Sequence, residues 1–259
     1  MLKLFKRTIT FLKQKGVHYT KTITKIINHP LKVINQRNFS KTVLTLKNVE
    51  DRFTKIYKGR YWTCEESVSG PGSTFEYTAY LRSKLPELFK KFSIKTIFDA
   101  PCGDFNWMRY VLKENNLNYI GGDIVTPLIE LNNLNYKNSA TKFIHIDLIL
   151  EKFPESDLMI CRDFLLHLSF HDTKLVLENY INSNIPYLLT STHINTVNFQ
   201  NKDITTGDSR LIDLFASPYY FPEDVYFRIS DWKAPYPKRE MCLWTKQQII
   251  DALKRFNNN

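Results

Sequence analysis

Thr96-Ile97-Phe98-Asp99-Ala100-Pro101-Cys102-Gly103-Asp104-Phe105-Asn106-Trp107 is the stretch that decides the fold. It begins as a short β-type run and ends in a tight turn with one glycine flanked by acids. Tyr119-Ile120-Gly121-Gly122-Asp123-Ile124 repeats the pattern, with apolar strand residues ending in an acid. Asp123 follows Gly103 by 20 residues. That spacing suits a nucleoside lying across the ends of two parallel strands. The glycine lets the backbone approach the ligand, and the later acid accepts hydrogen bonds from ribose hydroxyls.

The glycine pattern selects the kind of nucleoside. A dinucleotide site wants Gly-x-Gly-x-x-Gly, so that a pyrophosphate can rest on bare backbone at a helix N-terminus. Here Gly103 stands alone, with Asp99 and Asp104 on either side. Carboxylates repel a pyrophosphate and favour a cation. S-adenosylmethionine (SAM), with its sulfonium and ammonium groups, meets that requirement. At these residues the chain resembles the class I SAM-dependent methyltransferases. Asp99–Gly103 reads as a variant of their first motif, with Pro101 in place of the usual first glycine, and Asp123 matches their ribose-binding acid. The longer string Asp99–Trp107 resembles a bacterial subgroup associated with surface and capsular polysaccharide gene clusters. The resemblance covers Trp62 to Trp244. It implies an α/β fold of Rossmann-like, class I methyltransferase type: a mostly parallel seven-stranded sheet with helices on both faces. It also implies that SAM is held by Asp99, Ala100, Cys102, Gly103 and Trp107, by Asp123 and Ile124, by Asp147 and Leu148 near the adenine, and by Arg162.

Composition limits the alternatives. The chain has 259 residues, is 43% hydrophobic and carries a net charge of +10. One α/β domain plus an appendage is expected at that length. Residues 1–50 hold 11 Lys and Arg against a single acid, Glu50, which leaves 25 basic and 25 acidic residues in the remainder. The body, residues 51–259, is therefore balanced. That argues against a basic nucleic-acid footprint around its cleft. The N-terminal arm, residues 1–50, alternates apolar and basic residues. It reads as a helical arm packing on the body or on a second subunit, or as a segment lying on an anionic membrane surface. Cys64, Cys102, Cys161 and Cys242 form no Cys-x-x-Cys pair, so no structural zinc site is expected. The start is too often interrupted by lysine for a signal peptide, and no run approaches 18 apolar residues. A cytoplasmic location is expected.

Along the body, Ser67–Ser73 is a loop that can fold over the cofactor as a lid, followed by a helix over Thr74–Phe92 capped by Ser73. Pro86 is expected to kink or split that helix, and Arg82 on it can pair with the methionine carboxylate. Strands are expected at Thr96–Asp99, Tyr119–Asp123, Lys142–Asp147, Leu158–Arg162 and Tyr187–Thr192, with helices between them. A last strand at Glu240–Trp244 precedes a final helix. Right-handed crossovers place the strand ends, and the acids at them, along one edge.

The strand-four end, Cys161-Arg162-Asp163, faces the methyl group in this fold class. A neutral hydroxyl acceptor needs a base at the moment of transfer. His167 is the first candidate, because imidazole titrates near neutral pH. Asp163 can orient it or act itself, and His193 is the alternative. The polar segment His193–Asp208 and the proline-bounded loop Ser217–Pro222 suggest a hydroxylated substrate. An anionic substrate also suits them: Asp208 and Arg210 are candidate contacts, Arg210 for a phosphate or carboxylate, with Tyr219 or Trp232 for a sugar face. The expected function is O-methylation of a sugar or nucleotide-linked sugar in surface-polysaccharide synthesis. The alternatives are a phosphate-type or other small polar acceptor, an RNA acceptor recruited by the arm, and SAM binding without catalysis. No metal is required, although isolated acids at strand ends can take one divalent ion with substrate.

Overall fold

The sheet has seven strands in the order β3-β2-β1-β4-β5-β7-β6. In the computed structural model, which describes residues 42–195 and 199–257, these are β1 (Thr96–Asp99), β2 (Asn118–Asp123), β3 (Thr141–His145), β4 (Leu158–Cys161), β5 (Tyr187–His193), β6 (Phe227–Ser230) and β7 (Arg239–Thr245). β1 to β5 pair in parallel; β7 runs antiparallel to both β5 and β6. The α-helices whose bounds fall within the described residues are α1 (Val49–Lys58), α2 (Ala79–Lys91), α3 (Met108–Glu114), α4 (Thr126–Tyr136), α5 (Phe170–Asn182) and α6 (Lys246–Asn257). The expected mostly parallel seven-stranded sheet is what the chain forms.

Central strands read as unbroken apolar runs because helices cover both faces. All four residues of β4 are buried, and so are Ile97, Phe98 and Asp99 of β1. α2 contributes Leu81, Leu85, Leu88 and Phe89, a helical stripe that packs on the same core. Burial of each such side chain stabilises the fold by about 1.5–3 kcal/mol. α2 begins at Ala79, not Thr74, and runs on through Pro86 as one helix. The preceding segment is held outside the helix: the Glu66 carboxylate accepts from Phe75 N–H at 2.6 Å, and Asn106 Nδ2 donates to the Ser73 carbonyl at 2.9 Å.

α1 is an element that the strand-and-helix reading omitted. Asn48 caps it, accepting from Glu50 N–H at 2.7 Å, and Glu50 and Asp51 sit favourably in its first turn. Phe53 and Ile56, one turn apart, bury its inner face. Val43 is also buried, and the compact unit runs from Val43 to Asn259. The residues expected to form the arm therefore divide. Residues 43–50 are part of the body, and 1–41 lie outside the described residues, as do the membrane, RNA and self-association readings attached to them.

Candidate active site

A cavity of about 370 Å³ opens at the carboxyl edge of β1, β2, β4 and β5, within the size range of small-ligand pockets. Its walls bring together Asp99, Cys102, Gly103, Trp107, Asp123, Ile124, Arg162, Asp163, His167 and His193 from the sequence-derived set. The β1 and β2 ends are coupled through the motif turn. Cys102 N–H donates to the Gly122 carbonyl at 2.8 Å, and Gly103 N–H donates to Asp123 Oδ2 at 3.1 Å. Val125 N–H donates to Asp123 Oδ1 at 3.0 Å, so the carboxylate is clamped in orientation. Gly103 has φ +55°, and a Cβ there would stand 2.2 Å from Ser69 Oγ. The turn thus requires glycine twice over, for backbone conformation and for space.

The loop ahead of α2 is fastened beside that turn. Asp104 accepts from Ser67 Oγ at 3.0 Å and from Val68 N–H at 2.8 Å. Val68 through Ser73 therefore line the cavity over Gly103. Burial pushes the Asp99 carboxyl up to about 7, although Tyr119 O–H donates to it at 2.7 Å. Burial likewise raises Asp123 to about 6 against its backbone donors.

A buried ion network joins Arg162 and Asp163, which follow β4, to Asp231 and to Arg239 of β7. Arg162 grips Asp231 through two bonds, Nε–Oδ2 at 2.8 Å and Nη2–Oδ1 at 3.1 Å, and also donates to the Gly72 carbonyl at 2.7 Å. Arg239 donates to Asp231 Oδ2 at 3.1 Å and pairs with Asp163. Arg162 is thereby committed to protein partners, and its guanidinium lies 5.5 Å from the Trp107 ring centre. Asp163 sits at φ +55°, a strained conformation for a non-glycine residue, with its N–H donating to Ser191 Oγ at 2.8 Å. Burial pushes its carboxyl up, but the Arg239 and Arg162 guanidiniums outweigh burial and hold it below the ordinary value. A carboxylate held so is a weak base.

His167 stands in a 3-10 turn, Leu165–His167, after β4. Its Nδ1 lies 2.8 Å from the Asp208 carbonyl. A carbonyl only accepts, so Nδ1 carries the proton and Nε2 keeps its lone pair. Trp62 stacks on the ring, with centroids 4.5 Å apart and planes at 27°. Burial lowers the pKa of His167, which keeps it neutral. Phe53 of α1 packs on both Trp62 and Phe164, so α1 carries the wall beside His167.

Other expected site residues fall elsewhere. Arg82 does not line the cavity; its guanidinium lies 3.6 Å from the Phe75 ring centre and donates to the Phe75 carbonyl. Asp147 accepts from Ile149 N–H at 2.8 Å, capping its own turn, and Leu148 is buried core. Ala100 is wholly buried beneath the turn. Arg210 donates to the Leu168 carbonyl and to Tyr219 O–H, and Tyr219 is fully buried. The Asp208 side chain accepts from Ser209 N–H, and Trp232 donates to the Tyr236 carbonyl. Asp208, Arg210, Tyr219 and Trp232, expected as substrate contacts, do not line the cavity. The loop that carries Asp208 and Arg210 satisfies the backbone of the β4–α5 turn: Thr206 Oγ1 accepts from Ser169 N–H, Gly207 N–H donates to the His167 carbonyl, and the Asp208 carbonyl orients the His167 ring. The residues missed were Trp62, Tyr77, Asp231, Tyr236 and Arg239. Arg239, a charge opening an apolar strand, was the one visible signal among them.

No family model matches the sequence, and no curated protein matches it. Solved structures do match its fold. Human N-acetylserotonin methyltransferase in complex with SAM is similar with a TM-score of 0.53 at 13% identity, over 74% of this chain and 57% of that one. Magnesium protoporphyrin IX methyltransferase from Synechocystis PCC 6803 with bound SAM is similar with a TM-score of 0.52 at 9% identity, over 78% of this chain and 98% of that one. The fold is that of the class I SAM-dependent methyltransferases.

Proposed function

We propose that the chain is a SAM-dependent methyltransferase acting on a hydroxyl oxygen of a small polar acceptor. The carrying observation is one cavity lined both by the clamped Asp123–Gly103 pair and by His167, with an unprotonated Nε2. The donor set fits the cofactor. A carboxylate has about four acceptor positions. Asp123 spends two on backbone N–H groups and would offer the rest to ribose hydroxyls. Asp99 would face the cationic end, and the bare backbone at Gly103 permits close approach. When bound, SAM supplies a methyl carbon activated by its sulfonium. The protein's part is to align the acceptor, exclude water with the Val68–Ser73 loop and the Trp62 wall, and take the hydroxyl proton on His167 Nε2.

The reading of the acceptor as a sugar or nucleotide-linked sugar in surface-polysaccharide synthesis rests on the motif resemblance. The aromatic residues that line the cavity and suit a sugar face are Trp62, Tyr77 and Tyr236. The test is transfer of labelled methyl from SAM to a panel of nucleotide-sugars and simple glycosides, with phosphorylated small molecules and RNA as controls. Label on RNA alone would overturn the reading.

Calorimetry should show SAM and its demethylated product, S-adenosylhomocysteine (SAH), binding at about micromolar Kd, roughly 8 kcal/mol, and no binding of NAD. Asp123→Ala should weaken SAH binding by about 1–3 kcal/mol through lost charged hydrogen bonds. Unchanged affinity in a folded variant would remove the ribose assignment.

Affinity should also follow pH. Ligand-free Asp99 and Asp123 titrate near 7 and 6, and a cationic ligand favours their ionised forms. SAM affinity should therefore rise between about pH 6 and 8, more steeply than that of SAH, which lacks the sulfonium charge. Both carboxyls titrate above the unfolded value of about 3.9, so they favour folding at low pH, and that contribution is lost as pH rises through about 7. Equal pH slopes for the two ligands would place the sulfonium away from both carboxyls.

A further inference from the structure

His167 and His193 line the same cavity, and their backbone partners impose opposite protonation patterns. His193 ends β5 and is 8% exposed. Its ring Nδ1 accepts from Ile212 N–H at 3.2 Å, while the His193 backbone N–H donates to the Ile212 carbonyl at 2.8 Å. An amide N–H only donates, so Nδ1 of His193 is bare and the ring proton resides on Nε2. His167 is the reverse, with Nδ1–H donating to the Asp208 carbonyl and Nε2 bare. Among the described residues neither Nε2 has a hydrogen-bond partner. Burial lowers both pKa values, so both rings are neutral near pH 7. Both lie within the field of the Asp163 carboxylate.

We propose that His193 is a catalytic hydrogen-bond donor to the acceptor oxygen, paired with His167 as the base, so that the cavity selects a hydroxyl. This rests on the methyl-transfer reading above and assigns the acceptor side of that site. A hydroxyl is the complement of one bare and one protonated imidazole nitrogen. Its O–H donates to His167 Nε2, one oxygen lone pair accepts from His193 Nε2–H, and a second lone pair stays free to attack. A neutral amine has one lone pair, which the His193 donor would occupy. A carboxylate has no proton for His167 and would set lone pair against lone pair. In the transfer, the acceptor oxygen–methyl bond forms and the methyl–sulfur bond breaks. Its electron pair stays on sulfur, and the hydroxyl proton ends on His167 Nε2. His193 Nε2–H meets the charge that gathers on oxygen before that proton is fully transferred.

The decisive measurement is long-range proton–nitrogen NMR of the nitrogen-15-labelled full chain at about pH 7.5, above the ordinary imidazole range. His167→Gln and His193→Gln assign the two rings. His167 protonated on Nδ1 and His193 on Nε2 is the expected result. Both rings protonated on the same nitrogen, or either ring cationic, overturns the proposal. The linkage of the methylated product is the second readout. An alkali-stable ether supports the hydroxyl assignment, whereas an ester or an N-methyl group overturns it. His193→Leu should lower turnover about a hundredfold, with partial recovery in His193→Gln, whose amide still donates. SAH calorimetry on the same proteins separates the two levels. Lack of SAH binding by the unmodified chain defeats the methyl-transfer reading, while the NMR result still decides the ring assignment.

Discussion

His167→Ala should lower methyl-transfer turnover by about a hundredfold or more while leaving SAH affinity unchanged. General-base catalysis contributes about 10²–10⁴-fold, and neither of the other two candidate bases is suited to replace it. Asp163 is held below the ordinary carboxylate range by two guanidiniums, and His193 has its Nδ1 occupied by Ile212 N–H. The pH profile supplies an independent check. Burial, the largest effect on His167, favours its neutral form, so the rising limb of kcat/KM should fall below the ordinary imidazole value of about 6.5. With SAM held saturating, so that the pH dependence of its binding drops out, rates should be flat from there through neutrality. Trp62→Ala should move that limb toward the ordinary value, because it opens one face of the ring to water. A loss of only a few-fold in His167→Ala, together with a lower Tm, would identify a structural histidine instead.

The parts of the site that could be read in the sequence are those written in local pattern. β1 and β2 announce themselves as apolar runs ending in Asp99 and Asp123, and the turn needs glycine at position 103 for reasons that hold in any context. Parallel pairing then places Asp99 level with Gly121 and sets both acids on one edge. The acceptor side is not local. Arg239 reaches the cavity because β7 runs antiparallel beside β5, which sets it opposite His193. Trp62 reaches it because α1 packs Phe53 against Phe164. No spacing in the chain encodes either event. α1 itself carries a helical pattern, with Phe53 and Ile56 one turn apart among charged neighbours, and it was hidden by the basic segment ahead of it. β6 is a four-residue edge strand with a single buried residue, too short for its alternation to stand out. The loop around Asp208 and Arg210 misled for a physical reason. Its polar side chains resemble a ligand-binding surface, yet they are spent on the buried backbone of the β4–α5 turn, a demand that becomes visible only once that turn is folded.

Asp231→Asn should destabilise the protein by about 3–5 kcal/mol, a fall in Tm of roughly 10 °C for a domain of this size. The Asp231 side chain is wholly inaccessible, and both Arg162 and Arg239, themselves only 5% and 10% exposed, bond to it. The native network holds two cations and two anions, Asp163 being the second, and is neutral. Removing one carboxylate charge leaves two buried guanidiniums sharing Asp163. At a few ångströms their repulsion is worth about 4 kcal/mol even at an effective dielectric near 20. The amide replaces shape and some hydrogen bonding but not charge, so the loss reports electrostatics rather than a cavity. The double variant Arg162→Met with Asp231→Leu makes the argument reversible. It removes one charge of each sign, keeps the Arg239–Asp163 pair, and fills the space with apolar atoms, and buried ion pairs replaced in that way are often neutral or stabilising. It should therefore unfold at higher temperature than Asp231→Asn, despite carrying two substitutions. Non-additivity of that sign is the mark of a coupled pair. SAH affinity should separate scaffold from site, because Arg162 also holds the Gly72 carbonyl of the cavity loop. The double variant should regain thermal stability and still bind SAH less tightly than the unmodified chain. If it melts no higher than Asp231→Asn, the network's charges are not coupled, and Asp231 contributes through packing alone.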